Sequence, residues 1–156
     1  MKRTPLRKVS LRSKKSLKLP NHESSADLKK DIQALLRKIV ILRDGTCILR
    51  KYRYCEDPVL QADHLITRSN SATYADSRLV VCLCRSCHGG YKQWNKEKYD
   101  SMVRTILPKE RVQLWDRCSK DLWRPQRMGS VDWKLAKLAL EKELKDLEKR
   151  NPRMDS

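Results

Sequence analysis

Four cysteines set around an Asp-His pair constrain this chain more than any other feature. Cys47 and Cys55 open the set, Asp63-His64 follows, and Cys84-Arg85-Ser86-Cys87-His88 closes it. Two thiol pairs of this kind can meet on one tetrahedral zinc ion, which then clamps together everything between them. Cys84-x2-Cys87 has the short reverse-turn spacing that turns two thiolates toward one ion at ~2.3 Å. The first pair is looser, with seven residues between its thiols, and needs a loop that returns on itself. Cys82, two residues before Cys84, is expected on the same strand face, either competing for the metal or buried as a small apolar residue. Cys118 is isolated and receives no chemistry.

Composition explains why a staple is needed and suggests a partner. Among 156 residues there is no Phe and only 39% are hydrophobic, so the core is small, and small cores lean on metals. Lys plus Arg number 36 against 19 Asp plus Glu, a net charge of +17. That excess favours a polyanion bound quickly and salt-sensitively; a ribosome-like structural protein or a merely solvated surface is the bland alternative. No apolar run approaches the roughly 18 residues of a membrane span, and the basic N-terminus lacks the apolar stretch of a signal peptide. The expectation is a cytoplasmic chain without membrane contact, in which cysteines serve metals more readily than disulfides.

The chain divides into five parts. Residues 1–22 carry eight Lys or Arg and no acid, which predicts a disordered basic arm, either a phosphate grip or a solubilising tail. Over 23–45, Ser24-Ser25 offers a cap, and Leu28, Ile32, Leu35, Leu36, Ile39 and Leu42 recur at helical spacing before Gly45; this is a bracing helix. Residues 46–107 hold the motifs. Val59–Ala62 and Leu79–Leu83 read as strands, 67–73 as a loop, and Tyr91–Leu107 as a helix ending at Pro108. Over 108–150, Pro108 starts a helix, 120–130 is a connector, and Val131–Arg150 is a last helix with apolar Trp133, Leu135, Leu138, Leu140, Leu144 and Leu147. That helix packs at home or pairs with a second chain. Residues 151–156 are a tail.

Asp63-His64 and His88 are the candidate reactive groups. Hydrolysis of a phosphodiester needs a base for water and a metal to neutralise phosphate charge. Neighbours on an extended segment point to opposite sides, so Asp63 can serve a hard cation such as Mg²⁺ or Mn²⁺ while neutral His64 serves water. An imidazole can complete the cation site. The competing reading makes Asp63-His64 a surface pair, or His64 and His88 extra zinc ligands.

The runs Asp63-His64-Leu65-Ile66-Thr67-Arg68 and Leu79-Val80-Val81-Cys82-Leu83-Cys84-Arg85-Ser86-Cys87-His88 resemble the HNH (ββα-metal) endonucleases with a zinc ribbon. The likeness extends to phage recombination nucleases of the NinG/Rap type, to the Ref/YbcO prophage group in the seven-residue cysteine gap, and to endonuclease VII. It spans roughly residues 44–100. The resemblance implies an α+β fold, a small zinc-stapled ββα-metal core flanked by α-helices. It implies His64 as general base, Asp63 and His88 as ligands of a catalytic Mg²⁺ or Mn²⁺, Cys47, Cys55, Cys84 and Cys87 as ligands of structural Zn²⁺, and Arg68 facing a phosphate.

One departure stands out. Many HNH sequences place a base-orienting Asn five residues before the closing cysteine pair; here that slot is Leu79. Either Asp76, Ser77 or Asn70 substitutes from the loop, or the arrangement is that of endonuclease VII, in which the residue after the second Cys takes the metal.

Arg85, Lys92, Arg50, Lys51 and Arg53 join Arg68 as expected nucleic-acid contacts, of the kind that position without reading bases. Lys96 and Lys98 lie near the same helix start. Tyr52, Tyr54 and Trp94 interleave with these charges and either stack on unpaired bases or pack in the core. The resulting expectation is a metal-dependent DNA endonuclease, of phage or prophage origin by resemblance, acting on branched, single-stranded or recombinase-bound DNA at the bacterial nucleoid. It is a possible homodimer. A noncatalytic zinc-ribbon module that binds nucleic acid is the competing function.

Overall fold

The computed structural model describes residues 23–55, 57–120 and 128–151. The expected arm over 1–22, most of the connector and the tail beyond 151 lie outside them. The fold is α+β and mostly helical, with one two-stranded antiparallel sheet.

α1 (Ser25–Asp44) begins where Ser24 accepts a hydrogen bond from the Asp27 N–H, a side-chain cap on an otherwise orphaned donor. It ends at Gly45, whose φ of +72° suits a residue without a Cβ. Leu28, Ile32, Leu36, Ile39 and Val40 form its buried stripe, each contributing about 1.5–3 kcal/mol by leaving water. A 3₁₀ turn, Ile48–Lys51, follows.

β1 (Leu60–His64) and β2 (Val80–Cys84) pair with Ala62 opposite Cys82, Asp63 opposite Val81 and His64 opposite Val80. Both strands sit one residue beyond their expected starts and reach farther, so Asp63 and His64 belong to the ladder itself. Between them α2 (Ser71–Tyr74), capped by Asn70, occupies part of the expected loop. A π-helical turn, Cys87–Tyr91, then leads through α3 (Lys92–Trp94), α4 (Lys96–Ile106), α5 (Lys109–Lys120) and α6 (Ser130–Arg150). The single helix expected over 91–107 is therefore broken at Asn95, whose φ of −141° and ψ of 54° are not helical.

The sheet separates two cores. Val81 and Leu83 pack with Leu49, Tyr99, Val103 and Trp115 on one side. Val80 and Cys82 pack with the α1 stripe and with Trp133, Leu140 and Leu144 of α6 on the other. Cys82 therefore does not share a face with Cys84, which the strand end turns back into the first core; its thiol, pushed up to about 12 chiefly by burial, is inert packing. α6 packs at home against α1, with Lys137 paired to Asp31 at 2.6 Å. Leu135 and Leu138, expected in the apolar stripe, are exposed.

The free edge of β2 is closed by side chains. Arg43 and Arg111 both donate to the Val80 carbonyl, at 2.7 and 2.9 Å, and Asp44 accepts from the Cys82 N–H at 2.9 Å. An edge so occupied cannot recruit another strand. On the outer edge of β1 Lys92 donates to the His64 carbonyl at 3.1 Å, and the candidate site lies along that edge. Among the described residues no helix is long and apolar enough to cross a membrane.

Candidate functional site

The loose cysteine pair closes because the first four of the seven residues between its thiols wind into the 3₁₀ turn. Arg50 and Arg53 N–H groups bond back to Cys47 and Leu49 carbonyls, and Leu49 is fully buried as the pivot. At the other end β2 runs directly into helical turns, so Cys84 and Cys87 face the same point. The four ligand sulfurs of Cys47, Cys55, Cys84 and Cys87 lie within 4.8 Å of one another. Cys55 Sγ is 3.8 Å from Cys47 Sγ and 3.5 Å from Cys87 Sγ. A tetrahedral ion with 2.3 Å arms separates its sulfurs by about 3.8 Å, so the cluster could hold a metal ion such as zinc.

Its electrostatics fit a cation. Burial, with neighbouring thiols, pushes Cys87 up, and burial pushes Cys55 up to about 11 against the lowering hydrogen bond with Cys87. At Cys84 burial also opposes ionisation, but hydrogen bonds from Ser86 and from Cys87 outweigh it and bring the thiol down to about 7. Thiols that resist ionising one by one ionise together when a dication supplies the compensating charge.

The second site is an open cleft of about 400 Å³ along the free edge of β1, with Asp63, His64 and His88 all on its wall. The pleat sends neighbouring residues to opposite faces, and the contacts follow it. Asp63 turns toward α4, is 2% exposed, and accepts from the Tyr99 hydroxyl at 2.6 Å. His88, carried by the π-helical turn, brings Nε2 to 3.3 Å from Asp63 Oδ1. Cis ligands of an octahedral ion at ~2.1 Å lie about 3 Å apart, so this carboxylate and imidazole fit a shared hard or borderline cation.

His64 turns toward α1 and α2. Its Nε2 lies 3.2 Å from the Tyr74 carbonyl and 3.5 Å from the Gln33 amide nitrogen. A carbonyl oxygen only accepts, so the shorter contact assigns the proton to Nε2 and leaves the lone pair on Nδ1. Burial holds the ring's pKa below its ordinary 6.5 despite the Tyr74 bond. The imidazole is therefore neutral, oriented and basic at one defined nitrogen near neutral pH.

That orientation does not come from the loop side chains expected to replace the missing Asn. Asn70 caps α2, Asp76 holds Arg78, and Ser77 donates to Glu143. Leu79 itself is core. The backbone at Tyr74 does the orienting, and neither it nor Tyr99 carries a sequence signal.

The basic residues divide. Arg68 is exposed on the cleft wall, and Lys96 lies on the same wall. Lys92 turns inward, 2.7 and 2.8 Å from the two Asp63 oxygens. Arg85 pairs with Asp57 while staying largely exposed. Arg53 lays its guanidinium 4.1 Å from the Tyr91 ring, with Nε and Nη1 buried, so it fastens the cysteine loop to the π-helical turn rather than projecting outward. Arg50 and Lys51 line a separate groove beside Ile106 and Leu107. Trp94 is not core: it is 83% exposed, between the cleft residues Gln93 and Lys96. No protein-family model, no curated protein and no solved structure matches this chain.

Proposed function

We propose that this chain is a metal-dependent DNA endonuclease of the HNH (ββα-metal) type, with a structural zinc beside a phosphodiester-hydrolysing cleft. The observation that carries the reading is the convergence of Asp63, His88 and a tautomer-fixed His64 on one open wall. Asp63 and His88 would hold Mg²⁺ or Mn²⁺, which supplies charge neutralisation at the scissile phosphate. His64 takes the proton of the attacking water on Nδ1 while the Tyr74 carbonyl holds Nε2–H in place. Arg68 and Lys96 offer exposed positive charge on the wall for the flanking phosphates. The net charge of +17 supports DNA as the polyanion, with weak sequence preference and strong salt dependence. An exposed Trp94 supports substrates with unpaired bases, branched or single-stranded. Action on recombinase-bound DNA in a bacterial host, and a dimeric state, remain expectations of the family resemblance.

A second reading, a noncatalytic zinc-ribbon module that binds nucleic acid, is favoured by one contact: Lys92 already satisfies the carboxylate that a catalytic ion would need. A nicking assay on plasmid, junction and single-stranded DNA with Mg²⁺ or Mn²⁺ separates the two. The wild type is expected to cut, and His64→Ala to lose about 10²–10⁴-fold in rate while binding DNA as before. If both bind equally and neither cuts any substrate, the noncatalytic reading replaces the enzyme.

A further inference from the structure

We propose that Lys92 is a built-in counter-cation for Asp63, displaced when a divalent ion binds and then free to grip the substrate phosphate. This deepens the nuclease reading and rests on it. Asp63 is 2% exposed, and a carboxylate so buried is costly unless its charge is matched. The match is lopsided between its two oxygens. Oδ2 takes the Tyr99 hydroxyl at 2.6 Å and Lys92 Nζ at 2.8 Å. Oδ1 takes Lys92 Nζ at 2.7 Å and faces His88 Nε2 at 3.3 Å. A cation shared by Asp63 and His88 must therefore use Oδ1, the oxygen to which the ammonium is bound.

Both charges cannot share Oδ1, although the ammonium also spans to Oδ2. An ion bonded to Oδ1 sits ~2.1 Å from it, and a second positive charge 2.7 Å from the same atom is strongly repelled at such range. Tyr99 is uncharged and can keep Oδ2, so the group that leaves is Lys92. Its route out is short. The side chain is already 24% exposed, and it rises from the first residue of α3 at the cleft wall. Its compact ammonium regains strong hydration on a flexible stem. Its third contact, to the His64 carbonyl at 3.1 Å, lies on the free edge of β1, where the substrate backbone would run.

Two consequences follow. Without DNA, divalent-ion affinity is weakened by the cost of expelling Lys92. With DNA, the expelled ammonium gains a phosphate partner, so ion and DNA binding reinforce each other reciprocally.

The test measures Mn²⁺ binding to the full zinc-loaded chain by electron paramagnetic resonance of free Mn²⁺, with and without an uncleavable phosphorothioate DNA. Lys92→Met is expected to bind Mn²⁺ about tenfold tighter than wild type without DNA, the scale on which one adjacent charge alters a carboxylate's affinity for a cation. DNA should tighten Mn²⁺ binding more in the wild type than in the variant, where only the direct attraction between ion and phosphate remains. Lys92→Gln, which keeps a hydrogen-bond donor but no charge, should behave alike and covers a failure of the Met variant to fold. Melting adds a readout: the zinc-loaded variants melt below wild type when no Mn²⁺ is added and gain more on adding it. If Asp63→Asn abolishes Mn²⁺ binding but neither Lys92 variant tightens it, the counter-cation is wrong and the nuclease site stands. If Mn²⁺ binding ignores Asp63→Asn, the nuclease reading falls, and this inference with it.

Discussion

The cysteine cluster and the Asp63 cleft share two strands and the π-helical turn that holds both Cys87 and His88, yet they are built on opposite plans. In the cluster, four ligands of one type are gathered by local turns: a 3₁₀ turn for Cys47 and Cys55, a strand-to-helix turn for Cys84 and Cys87. Each ligand sits near its pair-mate in sequence, and the sulfurs converge with little help from the rest of the chain. In the cleft, every candidate group has a different partner from a different element. Asp63 leans on Tyr99 of α4 and Lys92 of α3, His64 on α2 and α1, and His88 on a π-helical turn. Structural metal sites need ligand identity and a tight turn; reactive sites need groups held in unlike environments, which only distant packing supplies.

That contrast can be broken at the cluster first, where the largest effect is expected. Cys84→Ser should lose the zinc and the cooperative melt together, because structural zinc binding is worth ~10–16 kcal/mol in small zinc domains at neutral pH. Metal analysis beside circular dichroism checks it, and a variant that keeps zinc and melts cooperatively would mean the cluster is no staple. The cleft is sharpened by pH. His64 is held below its ordinary 6.5 by burial, so the base is neutral above that value and is lost as pH falls through the lowered one. The nicking rate should plateau near neutrality and fall about tenfold per pH unit only below 6.5. The same sign holds for stability: the unfolded chain takes the proton first, so this contribution is complete above 6.5 and fades as pH drops. A rate that already halves at pH 7 would show that His64 is not the base. The smallest effect belongs to the cleft's rim. Trp94→Ala should weaken single-stranded DNA binding by about 1–3 kcal/mol with the melting temperature unchanged, because the ring is 83% exposed. Equal affinity in a fluorescence titration would remove stacking from the picture.

Legibility divided along the same line. The helix from Ser24 to Gly45, the restart after Pro108 and the closing helix were readable, since caps, breakers and apolar spacing act within a few residues. The break at Asn95 was not, because nothing local forbids a helix through Trp94 and Asn95. Leu135 and Leu138 follow an apolar rhythm yet face water, because α1 covers only one side of α6. A side chain that replaces the Asn at the Leu79 slot would show in the sequence as a residue type, whereas a backbone carbonyl, which every residue owns, holds His64. Arg53, read as a phosphate contact, is committed to the Tyr91 ring instead.

By itself, then, the order of residues determined the cysteine quartet, the bounds of α1 and α6, the positive charge and the candidacy of Asp63, His64 and His88. These depend on spacing and on the identity of single side chains. Tertiary structure alone decided which imidazole nitrogen keeps the lone pair, which cation sits on the buried carboxylate and which arginines face outward. Those outcomes come from burial and from partners between 10 and 38 positions away, and no local rule reaches that far.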